Sequence, residues 1–283
     1  KSNSFCTLLE SGMVQYADPK KTKDGRIRAP QPLIGPYKRV KRIPWPVLFG
    51  AVTVTGWMLK NQYDKLTKVS PQERFMEKLK IVPYGVLGTQ LSMTGTLRSV
   101  GEPPDERTAI VDPAGLHHIK NGADGAGGAA GAIYKHIGLK GAFPEAVRNA
   151  IFGPTDAKFH DYDGAKVIHA IGPDFREGEW SEREAAVELS RTYRNILHEF
   201  VVSEADTLRI LPVSSGIFSG PLYNQMAPLT HEAISMGFEQ LHPFDAQAVT
   251  EKQKRIELCI FMEREWDPYV TAFDVLKAPS VLK

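Results

Sequence analysis

The sequence predicts an α/β domain, a three-layer α/β/α sandwich on a mixed sheet, preceded by an extended basic arm and one apolar helix. Three observations carry this. From about residue 84 onward, short apolar runs rich in β-branched residues alternate with helix-length stretches, the order of an α/β fold. Several runs are almost continuously apolar, as strands covered on both faces are. Two of them empty into loops of Gly, Ala and Ser, each placed ahead of a helix. Such loops can aim backbone N–H groups at a phosphate or pyrophosphate.

The chain has 283 residues, with 35 Lys and Arg against 33 Asp and Glu. That balance offers no global argument for a nucleic-acid partner, and none is expected. The basic residues are uneven, however. Residues 20–42 hold nine Lys and Arg among many Pro and Gly. Such a run reads as a solvated arm or as a patch for an anionic partner such as lipid headgroups. The two cysteines, Cys6 and Cys259, give neither a disulfide framework nor a zinc site, and Cys259 reads as a small core residue.

Residues 43–59 form a run of seventeen without a charge, with Trp45 and Trp57 near its ends, Lys41 and Arg42 before it and Lys60 after it. Apolar centre, tryptophan ends and basic flanks are those of a membrane-spanning helix. The length is at the short end for a span, so a helix laid into a protein groove stays open beside it. Residues 60–83 read as an amphipathic connector, with Ser70, Pro71 and Glu73 as a helix cap and first turn. Denser positive charge before the run than after it places the arm on the cytoplasm-like side. In a mitochondrial inner membrane the arm would face the matrix and the domain the intermembrane space. The first residue, Lys1, fits a removed presequence and a truncated chain equally.

Strands are predicted near 85–92, 108–112, 166–171, 207–212 and 257–262. Helices are predicted near 128–138, 145–152, 182–202, 221–240 and 265–273. The organisation is then arm 1–42, apolar helix 43–59, connector 60–83, domain 84–276 and tail 277–283. Ligands of such sheets bind beyond the carboxyl ends of the strands, where both glycine loops fall. His117 and His118 lack partners at metal-ligand spacing and read as loop histidines. His169 lies in a buried strand pattern and reads as a satisfied core residue. Ser214 and Ser215 either cap their loop or contact phosphate. Phe218 either stacks on a ribose or base or closes the pocket.

Four segments occur in a telling order: IVDPAG (110–115), GAGGAAGAI (125–133), VIHAIGP (167–173) and PVSSGIFSG (212–220). Together they resemble the macrodomain family of ADP-ribose-binding modules, most closely its MacroD-type and alphavirus branches. The helix-like 184–200 and the ELCIFMEREWDPY segment (257–269) extend the resemblance. It implies a ligand site built from Gly127, Gly128, Ala129, Ala130 and Gly131 on one loop and Ser214, Ser215, Gly216, Ile217 and Phe218 on the other. Asp112 falls at the ribose end. Glu102 is the nearest counterpart of the family's adenine-binding acid.

The chain also departs from the family. Asp112 and Gly115 stand where the family has two Asn residues, and Ala130 stands where MacroD-type hydrolases carry an acid. Pro113 rigidifies the same turn. The resemblance therefore implies a weakened pocket with no catalytic residue and no required cofactor, open to ADP-ribose, NAD or another nucleotide. Three functions follow: a membrane-anchored accessory subunit with a degenerate pocket, associated with other subunits and with the bilayer through 43–59; a nucleotide-binding reader; and an ADP-ribosyl hydrolase.

Overall fold

The computed structural model describes residues 70–277. The arm 1–42, the apolar run 43–59, the first part of the connector (60–69) and most of the tail lie outside the described residues. Among the described residues no helix is long and apolar enough to cross a membrane.

The domain begins earlier than the sequence pattern suggests. Helix α1 (Pro71–Lys78) starts at a capping box: Ser70 accepts from the Glu73 amide, and the Glu73 side chain answers the Ser70 amide. Phe75 on this helix is fully buried, its ring stacked 4.2 Å from that of Phe238. Strand β1 (Leu79–Val82) follows at once. Residues 71–82 are thus part of the sheet domain rather than a connector, and the boundary drawn at residue 84 moves upstream. Four residues with one lysine among them are too short a run to show a strand period.

The remaining elements are β2 (Thr89–Leu91), β3 (Leu97–Ser99), β4 (Thr108–Pro113), α2 (Leu116–Asn121), α3 (Gly128–His136), α4 (Glu145–Ala150), β5 (Ala157–Tyr162), β6 (Ala165–Ala170), α5 (Glu182–Val202), β7 (Thr207–Ile210), α6 (Met226–Glu239), α7 (Pro243–Val249), β8 (Arg255–Cys259) and α8 (Trp266–Lys277). Short 3-10 segments at Ile217–Gln225 and Glu263–Glu265 lead into α6 and α8. Six strands make one mixed sheet in the order β1-β8-β7-β4-β6-β5. Every neighbouring pair is parallel except β5 with β6.

Strand alternation divides the core. Ala109, Val111, Ile168, Leu208, Ile210, Ile256 and Leu258 face a layer containing Phe75, the long helix α5, α6 and Phe273 of α8. Ile110, Val167 and Cys259 face the opposite layer, with Ile119, Ile133, Phe143 and Val147 from α2, α3, the following loop and α4. Helix α5 begins at a second capping box, Ser181 with Glu184, and buries Ala185, Leu189, Tyr193, Ile196 and Phe200 along one face.

Two expected elements differ, and β5 is a strand that the sequence pattern does not predict. The strand read at 85–92 is mostly turn, because β2 pairs with β3 in a separate hairpin. Strand β5, at the sheet edge, escapes the pattern because Lys158, His160 and Asp161 leave it no continuous apolar run. The helix read at 221–240 is broken before Met226, where Gly220 takes a positive φ ahead of Pro221.

Candidate functional site

A cleft of about 810 Å³ lies along the carboxyl edge of the sheet. The segment 113–132, loop 211–218 and the segments around Gly85–Leu87 and Phe261–Glu265 line it. Both glycine loops therefore meet at one site, as strand order and parallel pairing require.

The first wall is the start of α3. Its N-cap, Gly127, supplies no side-chain cap, and no acidic residue occupies the first turn. The first amides of an α-helix have no intrahelical acceptor, so this turn presents N–H groups and a positive dipole end. Gly128 has φ +58°, and a Cβ there would meet open space, so the backbone can approach a ligand closely. Gly131 is different. It is absent from the cleft lining, and a Cβ there would collide with the Ala126 carbonyl. Its role is to let the loop fold back on the helix.

The second wall is the loop after β7. Ser214 holds a left-handed backbone, φ +61°, and its hydroxyl donates to the Pro173 carbonyl at 2.7 Å. Ser215 donates to the Pro212 carbonyl at 2.8 Å. Both hydroxyls thus donate to nearby carbonyls, and both residues line the cleft. Phe218 is half-buried at the edge of the cleft, with the Arg176 guanidinium 4.9 Å above its ring. Ile217 is 78% exposed.

Two expected side chains do not reach the cleft. Asp112 is fully buried on the α3 face of the sheet, where its Oδ2 accepts from His169 Nδ1 at 2.7 Å. The strands β4 and β6 pair these residues directly, so both point the same way. Tyr162 closes the chain, its hydroxyl 2.8 Å from His169 Nε2. Burial, and then the negative charge of Asp112, push the phenol of Tyr134 far above its ordinary range. The reading of His169 as a satisfied core histidine describes it correctly.

Glu102 is the second. Its side chain is exposed and outside the lining, while its backbone carbonyl accepts from Arg209 Nη1 at 2.8 Å. Arg209 also donates to Glu257 at 2.9 Å and to the Val86 carbonyl at 3.3 Å, beneath the Tyr84 ring. This buried ion pair ties the 84–102 segment to the sheet and fixes one wall of the cleft.

Two titratable residues of the cleft carry no expectation from the motifs. His118 lies on helix α2 rather than in a loop. Its Nδ1 donates to the Gly122 carbonyl at 3.3 Å, and its ring carbon Cδ2 stands 3.5 Å from where a Gly115 Cβ would sit. A side chain missing at Gly115 thus leaves room that the imidazole edges. Glu265 lies at the other end, half-buried, with the Tyr223 hydroxyl donating to it at 3.4 Å. Burial raises its carboxyl above the usual range. Among the described residues lining the cleft, none is Lys or Arg.

No family model matches the chain. It is 28% identical over 137 residues to the polyprotein P1234 of Ross river virus (strain NB5092), which covers 48% of this chain and 5% of the polyprotein. The Getah virus polyprotein P1234 is 27% identical over 137 residues, with the same 48% and 5%. The chain thus matches only a small part of the length of these relatives. Its structural neighbours are macrodomains. The Oceanobacillus iheyensis macrodomain with ADP has a TM-score of 0.46 at 17% identity, covering 70% of this chain and 90% of that one. The Trypanosoma brucei macrodomain in complex with ADP has a TM-score of 0.45 at 18% identity, covering 72% of each. An alphavirus P23pro-zbd structure gives 0.44 at 21% identity, covering 65% of this chain and 26% of that chain.

Proposed function

We propose that the domain binds the diphosphate of an ADP-ribose-type nucleotide and does not hydrolyse it. One observation carries the reading: the uncapped first turn of α3 opens into a large cleft opposite the Ser214–Phe218 loop. Backbone donors of this kind survive side-chain substitution, so the loss of the family's Asn residues leaves them intact. The absence of turnover is supported by the three departing positions. Asp112 is engaged in the core, Gly115 has no side chain, and Ala130 offers no acid. A site without its orienting and acid–base groups loses several powers of ten in rate.

The test is isothermal titration of the full chain with ADP-ribose, with Gly127→Glu as the control. Binding by the wild type and none by the variant is expected. An absence of heat at millimolar ligand overturns the reading.

A second reading is favoured by the uncharged run 43–59: a membrane-anchored accessory subunit of a complex, in a mitochondrial inner membrane. Alkaline carbonate extraction should leave the chain in the membrane pellet, and mild detergent should release it with partner subunits. Recovery of the intact chain in the carbonate supernatant overturns this reading.

A further inference from the structure

The cleft crosses the carboxyl ends of β8, β7 and β4 in that order, and its two ends differ in charge. At the β4 end are the first turn of α3 and the His118 imidazole. At the β8 end is the Glu265 carboxylate, just after Phe261 and Met262. With β7 between them, β8 and β4 set the ends roughly 10 Å apart, since neighbouring strands are about 4.8 Å apart.

Glu265 is the one carboxylate among the described residues lining the cleft. Its position is fixed: its amide donates to the Met262 carbonyl at 2.9 Å, closing the 3-10 turn that leads into α8, and Tyr223 holds one carboxylate oxygen. An anionic diphosphate is driven to the opposite end by the helix dipole there and by repulsion here. Of the two ribose-bearing arms that flank the diphosphate, we assign the adenosine arm to the Glu265 end.

We propose that Glu265 is a specificity-determining residue that accepts hydrogen bonds from the hydroxyls of an unphosphorylated ribose and rejects a ribose phosphate at that end. The inference rests on the diphosphate-binding reading. A carboxylate accepts from two donors at once, which suits a vicinal diol. A phosphate monoester removes one donor and brings nearly two negative charges, with no Lys or Arg among the described lining residues to receive them.

The experiment titrates the full chain with ADP-ribose and with its analogue phosphorylated on the 2′-hydroxyl of the adenosine ribose. Wild type should bind the analogue at least about tenfold more weakly, a modest like-charge penalty. Glu265→Gln should bring the two affinities within about threefold by removing that penalty, and Glu265→Ala should narrow the gap in the same direction. Equal affinities in the wild type, or undiminished discrimination in both variants, overturn the proposal while leaving diphosphate binding intact. A wild type that binds neither ligand overturns the diphosphate reading and this proposal with it.

Discussion

His169 Nδ1 lies 2.7 Å from Asp112 Oδ2, and neither side chain is exposed to solvent. The imidazole is enclosed further by Phe143 and Tyr162, whose rings meet it edge-on. A position expected from the sequence to face a ligand instead forms a structural pair in the sheet.

Removing one member of such a pair strands the other. Asp112→Ala should lower the unfolding free energy by about 3–5 kcal/mol, the usual cost of breaking a buried pair. Asp112→Asn keeps an acceptor for the imidazole N–H and should fall within about 1–2 kcal/mol of wild type. Denaturant unfolding of the two variants checks this, and equal losses would show that the carboxylate's charge matters more than its hydrogen bond.

Two glycines four positions apart, Gly127 and Gly131, should behave in opposite ways. A Cβ at Gly127 meets open space, so Gly127→Glu should retain the wild-type melting temperature while losing ADP-ribose binding. Gly131→Ala forces a methyl group against the Ala126 carbonyl. It should destabilise the fold by about 1–3 kcal/mol, as overpacking does. Thermal melts read alongside titrations separate the two effects.

The full chain should release no ADP-ribose from a protein modified on acidic side chains, and Gly115→Asn alone should not create activity. Chromatographic detection of free ADP-ribose provides the assay. Turnover by the wild type that disappears in Gly216→Glu would overturn the assignment of Asp112, Gly115 and Ala130.

Acid should weaken the start of α5. The Ser181 side chain and amide hold the Glu184 carboxyl below its usual range. Because the folded value is the lower one, the contribution is present above the unfolded carboxylate range near pH ~4.3 and is lost as pH falls through the folded value. The melting-temperature difference between wild type and Glu184→Gln should therefore shrink on acidification. A difference that is constant with pH would assign the cap to Ser181 alone.

Much of the site was legible in the sequence because it is made of backbone. Gly127, Gly128 and the Ser214–Phe218 loop are small-residue runs at strand ends, and a local pattern suffices to place them on one edge of a parallel sheet. Glu265 left no such trace, since an acid in a charged stretch after a strand usually faces water. His118 was visible as a residue but not as part of a wall, which depends on the short helix α2 and on the space beside Gly115.

The sequence by itself determined the alternation of strands and helices, the cap at Ser70, and the two loops, all of which arise from residues near one another in the chain. Tertiary structure alone decided that β1 at 79–82 completes the sheet, that Asp112 turns inward to His169, and that Glu102 lends only its carbonyl. Each of these depends on a partner tens of residues away: β8 for β1, β6 for Asp112, and Arg209 for Glu102. A polar side chain beside a glycine loop has the same local sequence whether it faces ligand or core. Pairing between distant strands chooses the face.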